Sequence, residues 1–594
     1  MVKILDKLST IVFCFKEGSL SDPRSFPSRI LYALVPGYRK WRDSVWHERH
    51  GTPPPWTAVG QRYHSAARER NALLEDPPQI HGDARFLGEA ELREIEWQAI
   101  ELNAQEEGAG TASLFLGIGF DLETKEFAGE ITSLPPGHLL TIAATRSGKG
   151  TSHIIPNLLL YGGSTVVIDP KGENYALTHM RRRKFGRVVR IDPFRVTKDI
   201  DAVSPFSGCN PMEFIDGESD ARRLASTLLG DAPKGDGQFW YDEALNLLSA
   251  VILGCVSIGW DQLKDVRELL TVSNTGKGQE PSELARKLGA LVGDTTEPGA
   301  KRRINSFVGY EAKMQSSILA SMNAKMSIWD TPEIADAVSR TDLPFGDLKT
   351  EVSTIYVVLP FDKMNDYGAF LRLMVGQFYQ AMIKSGKAKG IPIACIIDEF
   401  PVLGTMKELV RALAEIAGYG VRFWLFVQNL SQLKALYPDD WNVIVSQCST
   451  VCVFGVTDGK TIEWLGKELG QRTQAISIPG VSLGGAGRDA EGDLNVNGGV
   501  NHGVQLAGTP LLTPGEIREH LGVGQPWQLI FFSGKRPIIS ARADFYNQEN
   551  LACMAGSTEP DLSLAAPIDL KASDKWKGIP EKFEFGIKNA NDDI

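Results

Sequence analysis

The sequence predicts an α/β fold in which a parallel β-sheet has helices on both faces and carries an inserted all-α domain. From about residue 130, short apolar runs alternate with helical stretches, which is the pattern of strands that helices bury on both faces. Residues 213–340 show helical periodicity instead of such runs. The predicted strands are 139–143, 164–168, 353–359, 393–397, 421–427, 450–454 and 527–532.

Length and charge limit the class of protein. A chain of 594 residues is too long for a single hydrophobic core, so we expect several domains. Apolar residues make up 43% and charged residues 23%, as in folded proteins. A net charge of −10 excludes a generally basic protein that coats DNA. It does not exclude a nucleic-acid channel, because such channels concentrate positive charge locally.

The patterns divide the chain into five segments. They are a basic and aromatic N-terminal segment (1–80), the first part of the α/β domain (81–212), the all-α domain (213–340), the second part of the α/β domain (341–550) and a polar tail (551–594). Residues 479–510 are rich in Gly, Asn and Asp and have no strong periodicity. We therefore expect a long mobile loop within the second part of the α/β domain.

The N-terminal segment has one notable stretch, residues 25–51, in which Arg and Lys alternate with Tyr and Trp. Such a stretch either lies on a membrane surface, contacts nucleic acid, or packs as an arm on its own domain or on a partner. We expect no segment of the chain to span a bilayer as a helix. The most apolar runs near the N-terminus, 8–15 and 30–35, fall far short of the roughly 20 residues that a spanning helix needs. We therefore expect a cytoplasmic protein, with peripheral association at the inner membrane as the alternative.

The central motif is a Gly-containing loop between the first predicted strand and a helix. A phosphate-binding loop needs small residues, so that backbone N–H groups turn inward, and a Lys that reaches the β and γ phosphates. Lys149 stands at that position, and Gly150 supplies no hydroxyl for Mg²⁺ where Ser or Thr is usual, which leaves Thr151 or water to do so. The predicted nucleotide-binding residues are Thr145, Arg146, Ser147, Gly148, Lys149, Gly150 and Thr151.

Two further strand ends carry polar residues that suit nucleotide hydrolysis. The run 393–397 is followed by Asp398 and Glu399. An Asp in that position holds the water shell of Mg²⁺, and the adjacent Glu polarises the attacking water. The run 421–427 ends at Gln428, whose amide is placed to sense the γ-phosphate. We predict Lys149, Glu399 and Gln428 as catalytic residues, and Asp398 with Thr151 as metal ligands.

Other charged residues allow two interpretations. The run 181–184 has the sequence RRRK, which either contacts DNA phosphates or ends a solvated helix. Asp169 and Lys171 follow the second predicted strand and either contact a ligand or form a capped turn.

Several separated motifs together resemble the type IV secretion coupling proteins of conjugation systems. The resemblance runs from about residue 81 to about residue 537, in motifs whose order and spacing are more specific than any one of them. They are HGDARF (81–86), TRSGKG (145–150), IPN (155–157), DPKGE (169–173), DPF (192–194), NPM (210–212), DEF (398–400), Q (428) with LSQL (430–433), LG (469–470) with RT (472–473), and LLTPGE (511–516).

The resemblance implies a RecA-like P-loop NTPase domain and a ring, generally a hexamer, with ATP and Mg²⁺ at the subunit interfaces. It also implies a central channel for DNA and delivery of DNA, relaxase or secreted protein substrates to the type IV secretion channel. Motors of this sort complete each site with a basic residue from the neighbouring subunit. In some relatives that residue lies where this chain has Ala417, with Arg411 and Arg422 as nearby substitutes.

Typical members begin with two membrane-spanning helices, which this sequence lacks. A separate membrane anchor subunit, or residues 25–51, would then take their place. Three functions remain open: a DNA-delivering ATPase motor, an ATP-binding receptor or assembly platform for protein substrates that does not pump DNA, and a motor recruited to mobile-element or phage defence. Stimulation of ATP hydrolysis by DNA distinguishes the motor from the platform.

Overall fold

The computed structural model describes most of the chain between residues 44 and 556. The described residues are 44, 46–50, 52, 58–105, 110–233, 235, 237–274, 281–387, 390–483, 487–488, 494–495 and 498–556. The chain divides into two compact units: 1–84 with 470–511 and 586–594, and 85–469 with 512–585. The predicted N-terminal segment up to residue 43 and the polar tail from 557 lie outside the described residues.

The strands are β1 (Leu114–Asp121), β2 (Glu126–Ser133), β3 (His138–Ala143), β4 (Thr165–Asp169), β5 (Arg187–Ile191), β6 (Ser353–Val358), β7 (Ile393–Ile397), β8 (Val421–Val427), β9 (Cys448–Phe454), β10 (Gln471–Leu483), β11 (Gly487–Arg488), β12 (Leu494–Asn495), β13 (Gly498–Pro510), β14 (Trp527–Phe532) and β15 (Ile538–Ala541).

The helices are α1 (Ala58–Glu75), α2 (Glu89–Gln105), α3 (Ile155–Leu160), α4 (Glu173–Phe185), α5 (Glu218–Leu229), α6 (Gly237–Ser257), α7 (Leu263–Leu270), α8 (Glu283–Asp294), α9 (Pro298–Val308), α10 (Ala312–Met326), α11 (Pro332–Ala337), α12 (Met364–Lys384), α13 (Lys407–Glu415), α14 (Leu430–Leu436), α15 (Trp441–Gln447), α16 (Gly459–Leu469), α17 (Pro514–Leu521) and α18 (Glu549–Met554).

The larger unit is built on an eleven-stranded sheet in the order β2-β1-β15-β14-β9-β3-β8-β7-β4-β6-β5. The seven strands from β9 to β5 pair in parallel. The predicted α/β fold with a parallel sheet is therefore confirmed. The interpretation of 527–532 as another parallel strand was wrong, because β14 pairs antiparallel with β9 and β15.

Strand order decides which loops meet. β3, β8, β7 and β4 are successive neighbours in the parallel part of the sheet. The carboxyl ends of parallel strands lie at one edge of a sheet, and ligands of open α/β sheets bind there. The loops after these four strands are consequently brought to one edge, although residues 143 and 428 are far apart in the chain.

The sheet interior is apolar, with one polar network at its centre. Trp424 of β8 is fully buried and donates its indole N–H to the hydroxyl of Thr141 on β3, at 2.9 Å. The imidazole of His153 lies 3.3 Å from the same hydroxyl and also contacts Leu116 and Gln528. Hydrogen bonding of each buried polar group stabilises this network in an apolar interior.

Between β5 and β6 the described residues form helices α5 to α11, which confirms the inserted all-α domain. Within this domain the guanidinium of Arg267 donates to both carboxylate oxygens of Asp330, at 2.9 and 2.6 Å, and to Asn323 at 2.8 Å. Such a bidentate salt bridge fixes the end of α7 against the turn after α10. We propose that the domain boundaries lie near residues 213 and 340, just outside the first and last of these helices.

One described helix, α6, is long and apolar enough to cross a membrane by length and composition. Its 18-residue window has a mean hydropathy of 1.3, and 61% of that window is buried inside the molecule. The expectation that no segment meets these criteria was therefore wrong for α6. The helix packs against α5, α9 and α10, and the core helix of a folded domain passes the same test.

The smaller unit contains α1 and a long antiparallel ribbon of β10 and β13. The pairing runs from Gln471 opposite Pro510 to Leu483 opposite Gly498. Thr473 of the ribbon donates its backbone N–H to Gly82 at 3.0 Å. Residues 479–483 and 498–510, within the expected long mobile loop, thus form paired strands of β10 and β13.

Candidate functional site

The Gly-containing loop lies where the sequence placed it, between β3 and a helix. Gly148 has φ of +95° and Arg146 has φ of +60°, so the chain turns through left-handed conformations just before Lys149. The helix begins at Gly150 with a π-turn, Gly150–Ile154, before α3. Such π-turns are frequent at functional sites. Thr145 and Arg146 are exposed at the crest of the loop.

Two interactions brace this loop. The hydroxyl of Ser147 donates to the carbonyl of Ala144 at 2.5 Å, which closes the turn locally. From the far end of the chain, Arg542 donates through Nη1 to the carbonyl of Ser147 at 2.5 Å, and its guanidinium stacks over Phe454. Desolvation by the surrounding protein lowers the pKa of Arg542. The role of Arg542 was not predictable from the sequence, because no local pattern links residues that lie 395 positions apart.

Glu399 lies at the centre of the site. Its carboxylate is 3.5 Å from the ammonium of Lys149. The side-chain amide of Gln428 donates to both of its oxygens at 3.3 Å, and that of Gln432 donates to Oε1 at 3.4 Å. The structure therefore brings the three predicted catalytic residues together on the ends of three adjacent strands.

Gln432 of the LSQL motif (430–433) is a further residue of this site, for which no role was predicted. The side-chain oxygen Oε1 of Gln432 accepts a hydrogen bond from the backbone N–H of Gln428 at 3.2 Å, while its side-chain N–H donates to Glu399. The spacing of four residues between the two glutamines was the available signal, because α14 begins just after Gln428. Gln432 holds both Gln428 and Glu399 in place.

Asp398 shares the edge of the sheet with a second buried carboxyl group, Asp169. Asn174 donates its side-chain amide to both, at 3.5 Å to Asp398 and 3.3 Å to Asp169. Burial raises the pKa of Asp398 to about 6, opposed by the charge of Lys149. Burial raises the pKa of Asp169 to about 7, opposed by the backbone N–H of Tyr175. Asp169 thus serves as a buried acceptor in the turn after β4.

The donor set fits Mg²⁺ only in part. Asp398 is a largely buried carboxylate whose ionised form a cation would stabilise, so it would hold the ion or its water shell. The hydroxyl of Thr151 donates instead to Asp544 at 2.6 Å and to the carbonyl of Gly148 at 3.2 Å. Among the described residues no three His, Cys, Asp or Glu side chains cluster closely enough to hold a metal. Nucleotide oxygens would have to supply the remaining ligands.

The structure corrects the interpretation of three arginines, Arg181, Arg182 and Arg422. Arg181 and Arg182 are buried. Arg181 donates to the carbonyl of Leu159 in α3 at 3.1 Å, and Arg182 donates to carbonyls of the loop after α3. They are therefore not available to DNA phosphates. Arg422 is 1% exposed and donates to the carbonyls of Gly137 and Ser133, each at 2.9 Å. It cannot act as the basic residue that completes a neighbouring site.

A cleft of about 660 Å³ opens beside Glu399. Glu399, Gln428 and Gln432 form one wall, and residues from α5, α10 and α12 form the others. Arg372 of α12 lies in the cleft and donates to the carbonyl of Leu403 at 3.1 Å. The carboxylate predicted to activate water therefore faces a space shared by the sheet edge and the all-α domain.

Together these groups suit cleavage of a phosphoanhydride. A loop of backbone N–H groups with a lysine binds phosphates, and a carboxylate beside it accepts a proton from water. Two amides orient that carboxylate. No described residue near it is a Cys or Ser nucleophile placed against a His base, which would be the mark of covalent catalysis.

Comparisons with known proteins show the family of this chain. The family model described as "Type IV secretory system Conjugative DNA transfer" matches residues 107–567. Protein VirD4 of Rhizobium rhizogenes is 25% identical over 458 residues, which cover 75% of this chain and 64% of that protein. Conjugal transfer protein TraG of Escherichia coli is 28% identical over 542 residues, covering 84% of this chain and 82% of that protein. This chain spans about two thirds of the length of the VirD4 relatives.

Solved structures of the bacterial conjugative coupling protein TrwB have the same fold. The form in complex with sulphate has a TM-score of 0.55 and 17% identity, and the match covers 77% of this chain and 93% of that one. The form in complex with ADP and Mg²⁺ has a TM-score of 0.51 and 18% identity, with 68% and 85% covered. With more than three quarters of its residues matched by the family model, this chain belongs to the type IV secretory system conjugative DNA transfer family.

Proposed function

We propose that this protein is an ATP-hydrolysing motor that recruits DNA or nucleoprotein substrates and delivers them to a type IV secretion channel. One observation supports it above the others: Glu399 lies between Lys149 of the phosphate loop and the amides of Gln428 and Gln432. A phosphate-binding lysine, a general base and an amide that senses the phosphate meet at one point, as hydrolysis of a nucleoside triphosphate requires.

The residues have distinct roles in this proposal. Lys149 and the backbone N–H groups of the loop bind the β and γ phosphates, with the helix N-terminus favouring the negative charge. Glu399 accepts a proton from the attacking water, and Gln428 passes the loss of the γ-phosphate to the carboxyl end of β8. Asp398 would hold Mg²⁺, which neutralises charge on the phosphates when bound.

The partners in this proposal follow the relatives. The match to VirD4 and TraG, and the fold shared with TrwB, support DNA or nucleoprotein as the cargo. We propose a homo-oligomeric ring with six subunits and ATP sites at the interfaces. The protein would work in the cytoplasm or at the inner membrane, docked to the secretion channel directly or through a separate anchor subunit.

A second candidate function is an ATP-binding receptor or assembly platform that does not pump DNA. The observation that favours it is the hydrogen bond from Thr151 to Asp544. Gly150 has no hydroxyl, so Thr151, whose hydroxyl Asp544 holds in one orientation, is left to supply a lone pair to Mg²⁺. A platform would bind nucleotide yet turn it over slowly.

ATP turnover with and without DNA tests the proposal. The comparison uses wild type, Glu399→Gln and the control Glu519→Gln, which changes an exposed carboxylate on α17. We expect single-stranded or duplex DNA to stimulate the wild type and the control. Glu399→Gln should bind ATP normally and lose about 10²- to 10⁴-fold in turnover, because the general base is gone.

Each outcome decides between the two functions. Stimulation by DNA that is lost in Glu399→Gln supports the motor. Nucleotide binding without turnover in wild type supports the platform. Full turnover in Glu399→Gln would show that the base is another residue, and no binding of ATP by wild type would refute both functions.

A further inference from the structure

Residues 542–554, here called the C-terminal strap, lie against the helix that follows the phosphate loop. The guanidinium of Arg542 holds the carbonyl of Ser147, and the carboxylate of Asp544 accepts the hydroxyl of Thr151 at 2.6 Å. An apolar cluster attaches the rest of the strap. It includes Ile155 and Leu159 of the helix and Phe545, Leu551 and Met554 of the strap.

Within the strap, Tyr546 has its ring exposed beside the phosphate loop. Its side chain is 52% exposed, although Phe545 next to it packs into the apolar cluster. The hydroxyl of Tyr546 donates to Oδ2 of Asp544 at 3.2 Å, while Oδ1 of the same carboxylate accepts from Thr151. One carboxylate therefore ties the tyrosine ring to the first turn of the phosphate-loop helix.

The direction in which a nucleotide lies is set by the residues at the two ends of the loop. Lys149 reaches the β and γ phosphates, whereas backbone N–H groups of the loop and first helical turn hold the α and β phosphates. Glu399 and Gln428 lie on the Lys149 side of the loop. The carboxylate of Glu399 is 3.5 Å from the ammonium of Lys149 and 3.3 Å from the amide nitrogen of Gln428. The nucleoside must then leave past Thr151, on the side where Asp544 and Tyr546 lie.

We propose that Tyr546 stacks on the base of the bound nucleotide and that Asp544 positions the ring for this contact. The inference rests on the proposed function, in which the loop binds a nucleoside triphosphate. An aromatic face beside a planar base stabilises the complex without reading its hydrogen-bonding edge. The site therefore takes nucleoside triphosphates without reading the edge of the base, and stacking is the source of the affinity that the base adds.

Binding of Mg·ATP and of Mg·tripolyphosphate, which has no base or ribose, separates this role from support of the loop. Affinities are measured by titration calorimetry for wild type, Tyr546→Ala, Tyr546→Leu, Tyr546→Phe and the control Trp260→Ala. Trp260 is an exposed aromatic residue, 46% accessible, in the all-α domain. The leucine variant keeps a bulky apolar side chain without a π face, so it carries the test if the alanine variant unfolds.

We expect the alanine and leucine variants to weaken ATP binding about 10-fold, the order of one lost base stack. Their affinity for tripolyphosphate should stay within about twofold of wild type. Tyr546→Phe should bind ATP more tightly than either of them but more weakly than wild type, since it keeps the ring and loses the hydroxyl that Asp544 holds. Equal weakening of both ligands, or no weakening of either, would overturn the stacking role. Failure of wild type to bind ATP at all would instead refute the proposed function and this inference with it.

Discussion

The ammonium of Lys149 lies 3.5 Å from a carboxylate oxygen of Glu399, and both side chains are largely buried, with 11% and 16% of their surface exposed. Lys149 follows β3 and Glu399 follows β7, with β8 between them in the sheet. Solvent and salt screen a pair of this kind less than a surface pair. The residue that binds phosphate and the residue that activates water are therefore in direct electrostatic contact.

Replacing Lys149 with Ala should weaken Mg·ATP binding about 10- to 100-fold, because a charge-assisted interaction with the phosphates is lost. Equilibrium binding of ATP measures the change. Lys467→Ala is the matched control, since Lys467 is 73% exposed on α16 and pairs only with Glu463 among the described residues. Equal affinity of Lys149→Ala and wild type would show that the phosphates bind elsewhere.

The strands that carry Asp398 and Gln428 were predictable because each is an apolar run closed by a polar residue. The predicted ranges 393–397 and 421–427 match β7 and β8 residue for residue. A strand that is buried on both faces is mostly apolar, so the first charged or amide residue after the apolar run marks the end of the strand. The phosphate loop was predictable for a similar reason, as its chemistry restricts a short contiguous segment.

Contacts that join distant parts of the chain could not be predicted in this way. The bracing of the loop by Arg542 and Asp544 depends on β15 returning to the sheet beside β14 and β1, which no local pattern specifies. The antiparallel direction of β14 was not predicted, because an apolar run predicts a buried strand without indicating whether that strand pairs in parallel or antiparallel. The burial of Arg182 was missed because carbonyls of the loop after α3, rather than its neighbours in sequence, satisfy its charge.

Alanine at Gly148 and at Gly150 should have opposite effects on stability. At Gly148 the backbone is left-handed, and a Cβ would come within 2.6 Å of Nη1 of Arg542, so we expect destabilisation of about 1–2 kcal/mol. At Gly150 a Cβ would meet no heavy atom within 4 Å, and alanine should stabilise the helix start by up to about 1 kcal/mol. Thermal melting of the two variants checks the sign. A destabilised Gly150→Ala variant would contradict the open space at this position.

Replacing Arg411 and replacing Arg422 with Ala should have different effects on the free energy of unfolding. Arg422→Ala leaves the carbonyls of Gly137 and Ser133 without their donor in a buried site, so we expect a loss of at least about 2 kcal/mol. Arg411 is exposed on α13 and lines a cleft of about 310 Å³, so Arg411→Ala should change stability by less than about 0.5 kcal/mol.

Turnover then tests Arg411 as the residue that completes a neighbouring site. If it has that role, Arg411→Ala should lower ATP turnover by about 10³-fold while leaving ATP binding by the isolated subunit unchanged. Full turnover in Arg411→Ala would exclude it. A well-folded but inactive Arg422→Ala variant would contradict the structural role of Arg422.

Two buried histidines should make the protein less stable as the pH falls. Burial, with the charge of Arg542 nearby, lowers the pKa of His153 to about 3, and burial lowers the pKa of His138 to about 4. Between these values and about 6.5 the unfolded chain binds a proton at each histidine and the folded protein does not. Each histidine thus lowers the free energy of unfolding by about 1.4 kcal/mol per pH unit below 6.5.

The buried carboxyls raise the free energy of unfolding as the pH falls, whereas the histidines lower it. The contribution of one histidine is therefore obtained by comparing wild type with a variant that lacks this histidine. The raised pKa of Asp169, about 7, means that this carboxyl binds its proton more readily in the folded protein, and its stabilising effect disappears as the pH rises through 7. The quantity to compare is the free energy of unfolding of wild type minus that of His153→Gln, at pH 7.5 and at pH 5.

Glutamine keeps polar contacts to Thr141 and Gln528 and cannot take up a proton, so any loss of packing in His153→Gln is the same at both pH values. The difference between wild type and variant should shift by about 2 kcal/mol in favour of the variant at pH 5, which is 1.5 pH units of one depressed histidine. The free energy of unfolding of wild type minus that of Asp169→Asn should change in the opposite sense. It should increase as the pH falls from 8 to 6, because wild type gains stability when Asp169 binds its proton. A wild-type minus His153→Gln difference that does not change with pH would mean that His153 is protonated equally in the folded and unfolded chain, and would contradict its place in the dry network around Trp424.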